Sequence, residues 1–512
     1  MARDHIPGSI EPGGGRVRVA VIGGGITGLA AAFELSGPPD DPGDPSDPDA
    51  PEVVLFEEAP ALGGKLRSAV VGGRMVDTGP DGFLARRPEL PRLCRELGVE
   101  RRLVGPGATG AAVYSRGRLR SLPAGLALGI PTRLGPLARS GVLGPAGLIR
   151  AALDMAEIGR PALAHVAPPD GPPPEDEAIG AIVTRRLGRQ VAERLADPLI
   201  GGIHAGSVDD MSAAAVFPAL LGAARSGGSL MRGLRSPVAA ARREPPSSPA
   251  VFATLRDGMA SLAEHLAGVL TARGVKIATD CRVESLERDR SGWVVATGAG
   301  ENPVHFDGLV IAVPAWEASR LVRSHHAAMA SMLSSIEYSS VAVVTMVLDD
   351  DAMPRSLRGT GFLVPASAGR LVTACTWLDA KWPHLRRSRT RLLRASAGRY
   401  GDLRHTSLDD RALVDTLLED LRTTSGLSGR PLDLAVTRWP DAFPQYRPGH
   451  ISLVEQIEAA AAELPHLAVA GAAYHGVGVP ACVGDGRAAA RRVLGSLRSA
   501  RGVDQALGEA SR

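Results

Sequence analysis

The chain has 512 residues, 44% of them hydrophobic, and a formal net charge of +3. That length supports real cores in two to four domains, and so small a net charge gives no ground for binding a polyanion. Its four cysteines carry no CxxC spacing, which excludes a zinc ribbon or a disulfide scaffold and fits reduced thiols in a cytosolic protein.

The chain starts MARDHIPGSIEPGGG, polar and without an apolar h-region, so no secretory signal is expected. No run of about 18 apolar residues marks a bilayer span. From Arg16 the sequence reads RVRVAVIGGGITGLAAAFEL. The β-branched run Val17, Val19, Val21, Ile22 predicts a strand, the glycines a turn, and the Ala-rich stretch a helix. Gly23, Gly25 and Gly28 have the spacing of a dinucleotide fingerprint, whose pyrophosphate rests on the N-terminus of the helix. An acidic residue that holds the ribose is expected about 20 residues on. At that distance stands a Pro/Asp-rich insert, residues 36–52, which forms neither strand nor helix. The next apolar run, Val53 to Phe56, ends in Glu57, so Glu57 is the expected ribose ligand.

Residues 88–235 lose alternation and show helical periodicity, interrupted by APPDGPPPEDEA and REPPSSPA. Strand patterns return in GVKIATDCRVESLERD, GWVVATGAG and DGLVIAVPAW, then in a block from Val341 to Trp439. The close, LPHLAVAGAAYHGVGVPACVGDGRAAARRVLGSL, reads as a buried strand, a Gly-rich turn and a helix. The chain therefore opens and closes in one nucleotide-binding unit with other parts threaded between. Lys65, Lys276 and Lys381 are the only lysines. A GC-rich genome accounts for that arginine bias, and no nucleic-acid partner is expected.

GGGITGL, LFEEAPALGGKL and DTGPDGF near one end, with AVAGAAYHGVGVPACVGDG near the other, resemble the flavin amine oxidase and protoporphyrinogen oxidase superfamily. RRLGRQVAERLADPLIGGIHAG, FATLRDGMASLAEHL, GTGFLVP, TWLDAKWP and RWPDAFPQY narrow the resemblance to bacterial oxygen-dependent porphyrinogen oxidases of heme synthesis. The resemblance implies an α/β fold: an FAD-binding Rossmann-like domain interleaved with a mixed-sheet substrate domain and a helical subdomain. The expected FAD-binding segments are 1–87, 251–315 and 450–512. The expected substrate-domain segments are 211–250 and 316–449, and 88–210 is expected to be helical.

The same resemblance implies FAD as cofactor and a porphyrinogen and oxygen as substrates. Hydride passes from a bridging carbon of the macrocycle to the flavin, and peroxide forms from oxygen. Coproporphyrinogen III is the expected substrate; protoporphyrinogen IX and, in another class, an amine are the alternatives. It places Gly23, Gly25 and Gly28 at the pyrophosphate, Glu57 at the adenosine ribose, and Gly64 and Lys65 at the phosphates or ribitol. Val283 is expected to meet adenine through its backbone, with an ordinary core valine as the competing reading. Gly471, Gly478 and Val479 are expected at the ribitol and the pyrimidine ring. Arg86 is the expected propionate ligand, in an Arg-dense mouth with Arg87, Arg92, Arg116, Arg118 and Arg120. Phe83 and Phe362 are candidate walls of the slot, with core packing as the alternative. His204 is read as a satisfied structural histidine, Cys482 as not activated for covalent flavin attachment. No side chain is nominated as catalytic, and no metal is implied. Peripheral contact with the inner face of the cell membrane through the helical part, and transfer of product to a ferrochelatase, are further expectations. The oligomeric state is open.

Overall fold

A computed structural model describes residues 16–37, 51–156, 175–235, 251–289, 292–298, 302–354 and 357–510. The N-terminal stretch, most of the insert 36–52, APPDGPPPEDEA up to residue 174, and REPPSSPA lie outside them.

Five strands form a parallel sheet in the order Lys276–Ala278, Glu52–Phe56 (β2), Arg18–Ile22 (β1), Gly308–Ile311, Leu467–Val469. Apart from Arg18, Glu52 and Lys276, which begin their strands, its residues are apolar because both faces are covered. Val19, Val21, Val53 and Leu55 enter one core with the helices Ile26–Leu35 (α1), Ala260–Ala272 and Val479–Ala510. Ala20, Ile22, Val54 and Phe56 enter the other, with Phe306, Leu309 and Ile457. β1 sits centrally: the chain leaves it for β2 on one side and returns with Gly308–Ile311 on the other. Such a reversal opens a crevice beyond the carboxyl ends of the strands, where ligands bind. The C-terminal helix is tied to α1 by Arg487, whose Nε lies 2.5 Å from Glu34, and by Arg491, 2.7 Å from the same carboxylate.

A second sheet of seven strands runs Asp433–Pro444, Tyr338–Asp349, Thr390–Ala397, Val372–Trp377, Gly361–Leu363, Ala112–Ser115, Arg118–Ser121. It is antiparallel except where Gly361–Leu363 pairs in parallel with Ala112–Ser115, so it is mixed. Two expectations need correction. Residues 112–121, inside the segment expected to be helical, form an edge hairpin of this sheet. Residues 211–235, read as substrate-domain chain, instead pack as short helices into the helical core, through Phe217, Leu220 and Met231. Within that core Ala192–Gly201 is a π-helix containing Pro198, which has no N–H to donate inside it.

Candidate functional site

The crevice begins at the first glycine turn. Gly23 has φ +107° and donates its N–H to Phe56 O at 2.8 Å. A Cβ there would meet Ala312 O at 2.8 Å, so only glycine lets the β1 turn pass beside the turn after Gly308–Ile311. A Cβ on Gly28 would stand 1.9 Å from Gly23 O, which is why α1 can lie so close to its own turn. Gly25 differs: nothing of the protein lies within 4 Å of its would-be Cβ, so its open side faces the crevice at the start of α1. Gly24, absent from the expected set, is also constrained, since a Cβ would meet Leu62 and Glu57.

Glu57 stands at the end of β2, and both carboxylate oxygens are already oriented. Oε2 accepts the Gly24 N–H at 2.6 Å and Oε1 the Ala59 N–H at 2.8 Å, leaving each oxygen a further lone pair. Its backbone pairs with Ala278 O and the Cys281 N–H, which brings Val283 to the same end of the crevice. Val283 is buried, and its carbonyl accepts from Arg320 Nη2 at 2.7 Å. The second glycine pair stacks on the first: Gly63 donates to Gly24 O at 2.8 Å, and a Cβ on Gly64 would lie 3.1 Å from Gly25 Cα. Lys65 follows, exposed as a residue and with its amine donating to Ala442 O. Protein surrounds its amine on enough sides that desolvation lowers its pKa.

At the other end Gly471, φ +145°, has open space beside it, a Cβ on Gly478 would meet only Pro480 at 3.8 Å, and Val479 opens the C-terminal helix. The Gly471 N–H is held by Asp485 Oδ2 at 2.7 Å, and the other oxygen of Asp485 lies 2.8 Å from His475 Nδ1. That hydrogen bond to Asp485 raises the His475 pKa. Tyr446 braces the same turn, its hydroxyl donating to Ala472 O and accepting the Gly476 N–H. Sequence reasoning missed Asp485 and Tyr446. The one available signal was a carboxylate between glycines at a helix start. Burial pushes the Cys482 thiol up to about 11, so it is protonated at neutral pH and no nucleophile towards a flavin.

Between the two ends runs the loop 78–82, clamped by the seven-stranded sheet. Trp439 Nε1 donates to Thr78 O at 3.0 Å and Arg394 Nη2 to Gly79 O at 2.6 Å. Asp81 accepts from Lys381 Nζ at 2.8 Å and Trp382 Nε1 at 3.0 Å. Although burial opposes it, the Lys381 and Arg394 charges hold the Asp81 carboxyl well below the usual range. Arg86 is exposed beyond Phe83–Leu84. The two aromatic walls are not assembled: Phe83 is buried in the core of α1, and Phe362 is buried in the sheet core, tilted against Trp377 at 5.6 Å. Strand pairing turns both rings inward, so the packing alternative holds for them. An open cleft of about 570 Å³ lined by Asp350, Asp379, Ser388 and four arginines between Arg386 and Arg391 contains none of the crevice residues. Among the described residues no cluster of metal-ligating side chains occurs.

His204 departs from expectation. It ends the helix Gly202–His204 that follows the π-helix, with Ala205 at φ +48°. Its carbonyl accepts from Gln445 Nε2 at 3.1 Å, and its ring lies 6.1 Å from that of Tyr446. Its buried Nδ1 has no hydrogen-bond partner among the described residues, so it is not satisfied.

The paired glycine turns, an oriented carboxylate and two helix N-termini at one crevice fit a dinucleotide with a second ring system at the clamped loop. Residues 26–494 match the family model of flavin containing amine oxidoreductases. A coproporphyrinogen III oxidase of Bacillus subtilis (strain 168) is 31% identical over 95% of this chain and 99% of its own length. One of Mycobacterium tuberculosis (strain ATCC 25618 / H37Rv) is 35% identical over 93% of this chain and 97% of its own. A crystal structure from Exiguobacterium sp. 255-15, provisionally named a protoporphyrinogen oxidase, superposes with a TM-score of 0.78 at 29% identity, covering 93% and 98% of the two chains.

Proposed function

The chain belongs to the family of flavin-containing amine oxidoreductases, and we propose that within it this protein oxidises coproporphyrinogen III to coproporphyrin III, with oxygen as acceptor. It is an FAD-dependent oxidoreductase. The observation that carries the substrate is the end-to-end likeness to proteins named coproporphyrinogen III oxidase.

When bound, FAD supplies the ring that accepts a hydride; the chain binds and orients. The turn at Gly23, Gly25 and Gly28 receives the pyrophosphate on the α1 N-terminus. Glu57, already fixed by two backbone N–H groups, accepts from the ribose hydroxyls through its remaining lone pairs. Gly64 and Lys65 meet the phosphate–ribitol stretch, the Val283 backbone the adenine, and Gly471, Gly478 and Val479 the ribitol and the pyrimidine edge. Arg86 is the propionate ligand, an exposed guanidinium suited to bidentate pairing with a carboxylate. Amine oxidation fits less well, because an aromatic cage needs a side chain where Gly478 has none.

Contact with a membrane surface is supported by Ile149 and Leu153, both exposed and four residues apart on the helix Pro145–Leu153. Among the described residues no helix is long and apolar enough to cross a membrane. Hand-over of product to a ferrochelatase completes the proposal. The deciding experiment compares kcat/KM for coproporphyrinogen III and protoporphyrinogen IX by porphyrin fluorescence and peroxide release. A higher value for the four-carboxylate substrate is expected, with Arg86→Ala raising KM more than it lowers kcat. A clear preference for protoporphyrinogen IX overturns the assignment.

A further inference from the structure

Oxidation of a porphyrinogen releases protons as well as hydrides, and the crevice has so far offered nothing to receive them. Each two-electron step breaks a C–H bond at a bridging CH2 and sends the hydride to the flavin. The ring left behind is positively charged and must lose a proton to complete the new double bonds; over the three steps two protons leave pyrrole N–H bonds and one leaves the remaining bridging CH2. Hydride and proton together become the two hydrogens of peroxide, so atoms and electrons balance with oxygen as oxidant.

The segment Gly202–Gly206 lies where three parts of the molecule meet. It leaves the π-helix of the helical core. It touches the seven-stranded sheet, where the Tyr400 N–H donates to Ala205 O at 2.7 Å and a Cβ on Gly202 would lie 3.8 Å from Leu363. It faces Tyr446, whose hydroxyl holds the Gly476 N–H of the flavin-side turn. Ile203 nevertheless remains 53% exposed at this junction, so the segment presents an apolar face to open space where parts of a fold converge on a cofactor crevice. Beside it stands His204 with its unpartnered Nδ1. A buried nitrogen without a partner costs stability that an apolar side chain would spare, which sets this histidine apart from a packing residue.

Resting on the porphyrinogen reading, we infer that His204 is the proton acceptor: its imidazole takes the proton that the macrocycle gives up as the hydride departs, and the imidazolium passes it to the peroxide formed from oxygen. Burial alone lowers the His204 pKa, to about 4, so the ring is neutral and its lone pair available at neutral pH. The titratable and charged groups on the elements around it are Asp197, Arg399, Tyr400, Tyr446 and His450. Asp197 faces Arg399 at 3.6 Å and Tyr446 stacks on His450 at 3.9 Å, and none of them shifts the His204 equilibrium. A weak base suffices, because the donor is a cationic ring.

The test is anaerobic bleaching of the flavin by saturating coproporphyrinogen III in wild type, His204→Gln, His204→Phe and His204→Ala, with FAD content checked in each. Loss of an acid–base group is expected to slow bleaching and kcat about 100-fold, with KM within about twofold. Added imidazole should restore His204→Ala, and the solvent deuterium effect seen in wild type should vanish in His204→Phe. A bleaching rate near wild type in all three variants overturns the assignment, as does a rise in KM alone. If the variants fail to retain FAD, the wild-type bleaching rate in D2O decides: no slowing overturns it. A wild type inert towards coproporphyrinogen III overturns the substrate reading and this inference together, whereas an active wild type with equally active variants overturns His204 only.

Discussion

The nucleotide end of the crevice and its substrate end are made from different materials. At the nucleotide end the contacts are backbone: Gly23, Gly25, Gly28, Gly63 and Gly64 come together because they lack a Cβ, and one carboxylate, Glu57, completes them. At the substrate end the contacts are side chains sent from distant strands and loops: Trp439, Arg394 and Lys381 onto residues 78–81, Tyr446 and Asp485 onto the last turn. A backbone site depends on local sterics and is intolerant of added atoms. A side-chain site depends on the docking of one sheet against another and is sensitive to charge.

The largest expected effect separates glycines that pack from glycines that face the cofactor. Gly28→Ala puts a methyl 1.9 Å from Gly23 O and should cost about 3 kcal/mol or more in stability, with loss of FAD. Gly25→Ala meets no protein atom and adopts φ −67°, so its melting temperature without FAD should stay near wild type while FAD affinity falls. Equal behaviour of the two variants in thermal melts and FAD titration would erase the distinction.

On the substrate side, Asp81→Asn removes the charge that Lys381 and Trp382 donate to. It should destabilise by about 2 kcal/mol at neutral pH. Because the folded carboxyl titrates below its unfolded value, this stabilisation is full above the unfolded pKa and is lost progressively as pH falls from there through the lower folded pKa. Urea midpoints that separate at pH 7 and converge in acid would show it.

Glu57→Gln keeps the shape and removes the charge-assisted bonds. FAD affinity should fall by about 1.5–3 kcal/mol with little change in fold, measured by the dissociation constant for FAD. The smallest effect is expected at Asp77, where burial raises the carboxyl to about 6 despite hydrogen bonds from Ser68 and the Met259 N–H. Its folded state binds the proton more tightly than the unfolded chain, so stability is full below about 4 and declines as pH rises through about 6. Asp77→Asn should therefore gain about 1–2 kcal/mol over wild type at pH 8 and nothing at pH 4, read from paired melts. A pH-independent difference would remove Asp77 from the charge-sensitive half of the comparison.

What short stretches of chain could establish was the strand–turn–helix at Gly23–Gly28, the Glu57 that an insert had displaced, and the return of the chain to the same sheet after Leu467. Each rests on neighbours in sequence: an absent Cβ, a period of two or 3.6, a carboxylate at a strand end. The edge hairpin 112–121 escaped because two strands of four residues show little periodicity and take their stability from Gly361–Leu363, far along the chain. Phe83 and Phe362 pointed to a slot by their chemistry, yet strand pairing turned both into cores. Asp485 showed only as a carboxylate between two glycines, and nothing local marked Tyr446 or the unpartnered nitrogen of His204. Their roles arise only when a π-helix, a mixed sheet and a C-terminal helix are packed around one crevice, because hydrogen-bond satisfaction is decided by what lies across space and not by what stands next in the chain.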